Sequence, residues 1–220
     1  MATVVKWSGV AVAVQSALGT AIDIFSITKA SPGVVSTDYG SPSPAGHGLS
    51  NGDYVVMDVL GMNEVDGRVF RVAGVTTYTF QLEDEDTSLY NTFVSGTVQK
   101  ITFGVTVNTF TDISASGGEY DFIDTTTIHD TTRTQVPGPA APATFSFQSI
   151  WDPADTGLIA LKQAADVQGL RAVRFTWPNG YKFLFNGYIG ASLTPTGSAQ
   201  DKVITPVTIT AHGRPTTYAD

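Results

Sequence analysis

The chain has no cysteine among its 220 residues, and only three histidines. Without thiols it can form no disulfide and no thiolate metal site, which suits folding in a reducing cytoplasm. His47, His129 and His212 are scattered, so a zinc centre is not expected. Charge is scarce too, at 15% of residues, and basic charge scarcest: 12 Lys and Arg stand against 20 Asp and Glu, for a net charge of −8. No basic cluster appears that could neutralise several phosphates, which argues against tight binding of nucleic acid. Long apolar runs are missing as well. Val10-Ala-Val-Ala-Val14 is short, flanked by Ser8 and Gln15 and preceded only by Lys6, so it reads as a first strand rather than a signal peptide or a membrane span.

What the chain does have is 22 glycines, 11 prolines and frequent Thr and Val, the composition of β structure with many turns. A chain of this length makes one domain or two, and buries roughly 70% of its unfolded surface. The last third is the most legible. Ala143 to Trp151 alternates, with Phe145, Phe147 and Trp151 on one face. Asp152-Pro153 then predicts a helix start, with Asp152 as N-cap, Pro153 at the first helical position and Asp155 adding negative charge. Leu158, Ile159, Leu161, Ala165 and Val167 give the helix an apolar stripe, and Gly169 is placed to end it. Arg171 to Trp177 reads as a strand, Pro178-Asn179-Gly180 as a tight turn with positive φ at Asn-Gly, and Tyr181 to Leu193 as the returning strand. Val203 to His212 is a last strand.

Three segments of this stretch carry a resemblance: Arg171-Ala-Val-Arg-Phe-Thr-Trp-Pro-Asn-Gly180, Asn186-Gly-Tyr-Ile-Gly-Ala-Ser192 and Lys202-Val-Ile-Thr-Pro-Val-Thr-Ile-Thr-Ala-His-Gly-Arg-Pro215. They resemble the major tail tube proteins of long-tailed, lambda-like bacteriophages. The resemblance implies a mainly β chain, a tail-tube-type β-sandwich with one flanking α-helix. It also implies hexameric rings stacked helically into a tube through which genomic DNA passes without specific binding. The partners implied are further copies of the chain, a tape measure protein, a tail terminator and tail-tip proteins, with no membrane and no cofactor. The place implied is the virion tail, assembled in the host bacterial cytoplasm. A tail terminator or adaptor ring of similar fold is one alternative. A glycan-binding surface using Tyr78, Tyr90 and Phe93 is another.

Ser41-Pro-Ser-Pro44 punctuates the chain like a linker, and short strands are expected at Asp53–Val59, Arg68–Ala73, Thr77–Leu82 and Gly96–Ile101. His47-Gly-Leu-Ser-Asn-Gly-Asp53, Met62 to Val72 and Thr79-Phe-Gln-Leu82 are similar to a small β module that recurs in phage structural proteins. The expected organisation is a discontinuous tail tube domain, 1–40 and 102–220, with an inserted small all-β module at 41–101. The segment from Ser41 to Thr102 holds eight acids and three bases, most of the net acidity, which suits an outward decoration better than a channel wall.

After an alternating Phe103 to Phe110, the stretch Ser114 to Ala143 is rich in Thr, Gly and Pro and is expected to be a long loop that orders against neighbouring subunits. Asp121, Asp124, Asp130 and Arg133 are its candidate assembly residues. Along Arg171 to Leu193 the polar Arg174, Thr176, Lys182 and Asn186 alternate with Val173, Phe175, Trp177, Phe183 and Phe185. The first set is the candidate channel lining and the second the candidate core.

Imitations of catalytic motifs fail on context. Gly48-Leu-Ser-Asn-Gly52 spells G-x-S-x-G, but a Pro-rich stretch precedes it and a strand follows, not the strand and helix of a nucleophile elbow. Ser26-Ile-Thr-Lys29 spells S-x-x-K in a strand-like setting. Asp121, Asp124, His129 and Asp130 match no calcium-loop or helical ligand spacing, and Glu83-Asp-Glu-Asp86 reads as a solvated turn. No catalytic or metal site is expected, and the chain is not expected to be an enzyme.

Overall fold

The computed structural model describes residues 6–37 and 46–219; the linker expected at Ser41–Pro44 lies outside the described residues. Strands β1 (Ala11–Leu18), β2 (Ile22–Ile24), β3 (Ser26–Ile27), β4 (Val34–Ser36), β5 (Tyr54–Leu60), β6 (Val69–Ala73) and β7 (Thr79–Leu82) come first. They are followed by β8 (Ser95–Val107), β9 (Phe110–Ser116), β10 (Tyr120–Asp124), β11 (Gln135–Ala140) and β12 (Thr144–Ile150). Then come the helix α1 (Thr156–Asp166) and strands β13 (Leu170–Thr176), β14 (Lys182–Ala191) and β15 (Ile204–Tyr218). The chain is mainly β, with 50% of residues in strands and 5% helical.

One antiparallel sheet runs in the order β3-β4-β7-β6-β5-β8-β1-β13-β14-β15-β12-β9, with β2 paired to β8. It curls on itself into a sandwich. Phe147 on β12 lies with its ring 6.0 Å from Phe175 on β13, although β15 and β14 separate those strands in the sheet. Alternation supplies the filling: Val12 and Val14, Val173 and Phe175, Phe185 and Ile189, Phe145 and Phe147, and Val207 and Ile209 all point into one apolar core. The helix covers the open side with Leu158, Leu161 and Ala164.

A second core lies at the other end of the sheet. It is built from residues between Ile24 and Val98, with Phe70, Phe80, Met57 and Met62 fully enclosed. Ile24, Ile27 and Val35 belong to it and precede Ser41, so β2–β4 pack with the strands of the expected module. A smaller third cluster, Val69, Ile101, Ala172, Leu184 and Tyr218 with Tyr54 and Phe103 at its edge, joins the two.

Local punctuation differs from expectation in instructive ways. The helix is capped by Asp155, whose carboxylate accepts from the Leu158 amide at 2.8 Å; Asp152 instead accepts from the Ala154 amide in the turn before. Ile159 and Val167 stay exposed, and Gln168 rather than Gly169 takes the left-handed conformation that ends the helix, at φ 52°. In the Trp177–Gly180 turn only Gly180 takes positive φ, at 90°, with Pro178 at the second position of a type I-like turn closed by the Gly180 amide donating to the Trp177 carbonyl at 2.9 Å. The strands expected at Gly96–Ile101 and from Phe103 are one continuous β8.

Candidate assembly surfaces and channel face

The two layers of the sandwich turn their outer faces in opposite directions, and the two faces differ. On the layer β1-β13 and the first half of β14, the outer face carries Ala172, Arg174, Leu184 and Asn186, and β5, β6 and β8 press against it through the third cluster. Arg174 lies over the rings of Phe103 and Tyr54, 4.7 and 5.4 Å from their centres, and Asn186 is buried. These are two of the expected channel-lining residues. Arg174 and Asn186 are covered by the chain's own strands, while Thr176 and Lys182 are half-buried at the rim. Period-two alternation separates two faces of a strand but does not reveal that a distant part of the chain covers the second one.

On the other layer, β14-β15-β12-β9, the outer face is open. Register puts Tyr188 and Gly190 beside Thr210 and Thr208, these beside Thr144 and Ser146, and these beside Ser116 and Ser114. Gln148 sits between Pro206 and Asp112 at the far end. The face is broad and hydroxyl-rich, with one carboxylate and no cation among these positions. The sequence signal was present in the alternation Thr144, Ser146, Gln148 and Pro206, Thr208, Thr210, whose period matches that of the apolar faces behind it.

Beyond this face projects an arm. The stretch expected as a loop is a two-stranded hairpin: Ile123 pairs Val136 and Asp124 pairs Gln135. It leaves β9 through Gly117 and Gly118, both at positive φ; a side chain on Gly117 would strike the Pro142 carbonyl, so only glycine serves there. Arg214 reaches from β15 to the Tyr120 hydroxyl and steadies the base. Every residue of β10 is exposed, including Phe122 and Ile123, and Ile128 at the tip is 96% exposed.

The expected assembly residues all lie on this arm and all are exposed. Thr126 holds the Asp124 carboxyl below the usual range by hydrogen bonding, and Thr127 does the same for Asp130 through its amide and hydroxyl. Among the described residues, Asp121 and Arg133 form no ion pair.

Polar contacts fix the module to the body. The Arg68 guanidinium pairs with Glu85 and donates to the Glu64 and Arg214 carbonyls. Arg71 pairs with Glu83, donates to the Ala219 carbonyl and gives its backbone N–H to the Tyr218 hydroxyl at 3.0 Å. Burial pushes the Tyr218 phenol up to about 12. The Thr216 hydroxyl donates to the Val69 carbonyl at 2.7 Å. The partners that join Arg68, Arg71 and Val69 to the last strand lie 146–148 positions away in sequence, and nothing in spacing pointed to them. Tyr90 gives its hydroxyl to Glu85, and Tyr90 and Phe93 pack on the second core rather than standing open as a glycan platform. Gly48 to Gly52 is a turn held by the Ser50 amide donating to Asp53, and Ser26 lies in β3.

A curled sheet with an open hydroxyl-rich face, an edge at β9 unpaired within the subunit and a projecting arm defines a subunit that other subunits complete. A family model described as phage tail tube protein, TTP, matches residues 60–220. The chain belongs to that family, and it is a structural component of a virion tail rather than an enzyme. The matched span takes in most of the segment 41–101. A solved structure described as the tail of an empty GTA particle, refined with C6 symmetry, is similar with a TM-score of 0.42 at 14% identity over 55% of this chain and 87% of that one. No curated protein matches the chain. No helix among the described residues is long and apolar enough to cross a membrane.

Proposed function

We propose that the subunit forms hexameric rings that stack helically into the tail tube, and that DNA passes along the open face of β14-β15-β12-β9. The ring number and the passage of DNA are what the sequence resemblance implies. The observation that supports the placing of the channel is the contrast between the two outer faces: one is covered by the module, the other open and almost without charge. Among these positions the wall has one acid and no Lys or Arg, so phosphate meets neutral hydroxyls but no fixed cation that would hold it in place, and a polyanion can slide along it. The acidic module then lies on the far side, outside the tube. Edge pairing of β9 with a neighbouring subunit would close the open layers into a barrel and leave no free edge in the ring. The tape measure protein, tail terminator and tail-tip proteins are the proposed further partners, and assembly in the host cytoplasm the proposed route.

Electron microscopy of concentrated purified protein tests the assembly. Long tubes with sixfold symmetry are expected; isolated single rings would favour a terminator, and a persistent monomer would overturn the proposal. The chain has no native cysteine, so Ser146→Cys gives one reporter for the channel wall. A maleimide on a bulky polymer should label free subunits and fail to label assembled tubes. Equal labelling in both states would place that face outside.

A further inference from the structure

At the Phe110 end of β9 an apolar cavity of about 110 Å³ opens to solvent, walled by Trp7, Val10, Phe110, Ile113 and Phe147, with Asp112 at its rim. Nothing in the described chain fills it. At the opposite end of β9 the arm begins, and its tip carries Ile128 as the one apolar residue in the run Thr125 to Thr134. An aliphatic side chain exposed to 96% at the end of a hairpin makes no contribution to the subunit's own core.

From the groove at one end of β9 and the arm at the other, we infer that Ile128 of one copy seats in the Trp7–Phe110 groove of the next. The inference rests on the tube reading and names the contact that would join successive subunits. Size agrees: an apolar cavity of about 150 Å³ takes a benzene-sized group, so one somewhat smaller suits a branched aliphatic side chain. Charge agrees as well. Arg133 follows the tip where Asp112 marks the groove rim, and Lys6 beside Trp7 is opposite in sign to Asp130 on the tip. Reach agrees, since the ten steps from Gly118 to Ile128 span up to about 30 Å when extended, about the width of a small domain. A plug at one end and a socket at the other make a heterologous contact, which propagates from copy to copy instead of ending in a closed dimer. A two-stranded hairpin is also only marginally stable alone in water, and seating its tip supplies the missing burial.

The test uses the full chain. Ile128→Asp, at an exposed position, should melt like the parent yet raise the concentration needed for tubes at least tenfold. Ile128→Cys with Thr111→Cys at the groove rim should give, on mild oxidation, a ladder of cross-linked oligomers on a non-reducing gel. The two single variants mixed should stop at dimers. Tubes that form normally from Ile128→Asp, together with no ladder from the double variant, overturn the inference and leave the tube reading standing. A parent chain that stays monomeric at high concentration and a double variant that gives no ladder overturn both.

Discussion

Single side chains carry very different loads in this sandwich. Phe175 is 1% exposed and touches the rings of Phe145, Phe147, Phe183 and Phe185, so Phe175→Ala should cost about 3–5 kcal/mol in a denaturant melt. Trp177, in the same period-two series in sequence, sits at the rim against Trp7, and Trp177→Ala should cost only about 1–2 kcal/mol. The reverse ranking would mean that the aromatic core is misassigned. Tyr218 adds a pH dependence. Its phenol is neutral in both states below about pH 10, and above that the unfolded chain loses the proton while the folded chain holds it until about pH 12. Its contribution is therefore complete below the unfolded value and lost as the pH rises through the folded one, a fall of about 2–3 kcal/mol. Tyr218→Phe should be less stable by about 1 kcal/mol at neutral pH, through loss of the hydroxyl that accepts from Arg71, but should flatten the alkaline fall. Equal alkaline slopes for the two proteins would show that Tyr218 does not titrate in this way.

At the scale of elements, the arm is separable from the sandwich that bears it. Asp124 and Gln135 are directly paired, so replacing Thr125–Thr134 with Asn-Gly would close the hairpin by a two-residue turn. The variant should keep its melting temperature and lose the ability to form tubes; normal tubes would remove the arm from assembly. Amide exchange gives a second measure, with the arm fast in the free subunit and slow in the tube. Equal protection in both states would make the arm a fixed part of the subunit. The arm was read as a loop because Gly117, Gly118, Pro137, Pro139 and Pro142 interrupt any alternation, and because neither face of the hairpin meets a core that would impose one. The final third was legible for the opposite reason. Phe145, Phe147, Val173, Phe175, Val207 and Ile209 keep strict period two against a single buried face. The helix was found, but not its first turn: Asp152 and Asp155 are both able caps, and packing of Leu158 and Leu161 decides between them. The cover over Arg174 and Asn186 was not legible, because strand periodicity does not record which other strands lie on top.

The whole molecule is two cores on one sheet, and their membership suggests where it can be cut. The first core uses nothing between Val14 and Val107, and the second nothing outside Ile22 to Val98. The chain crosses between them where Leu18 pairs Ile101 and the Gly19 amide donates to the Lys100 carbonyl at 2.7 Å. We propose the second unit as roughly 19–100, wider at its start than the segment read from the sequence, because β2–β4 belong to its core. Replacing residues 19–100 with Asn-Gly would turn β1 straight into the remaining part of β8 as a tight hairpin. The cut strips Val69, Tyr54 and Val56 from the third cluster and leaves Ile101, Phe103 and Leu184 bare on a strand face. Such a patch invites aggregation, so the cut is best made with Ile101, Phe103 and Leu184 changed to Thr, which suits an exposed strand. It also removes ten acids and four bases, moving the net charge from −8 to −2 while leaving the open face of β14-β15-β12-β9 intact. The expected product melts cooperatively and, with the module on the side away from the proposed channel, forms tubes of smaller outer diameter and unchanged bore by electron microscopy. A chain that no longer folds would show that the third cluster binds the two cores into one cooperative unit. Tubes with an altered bore would place the module at the channel and reverse the assignment of the two faces.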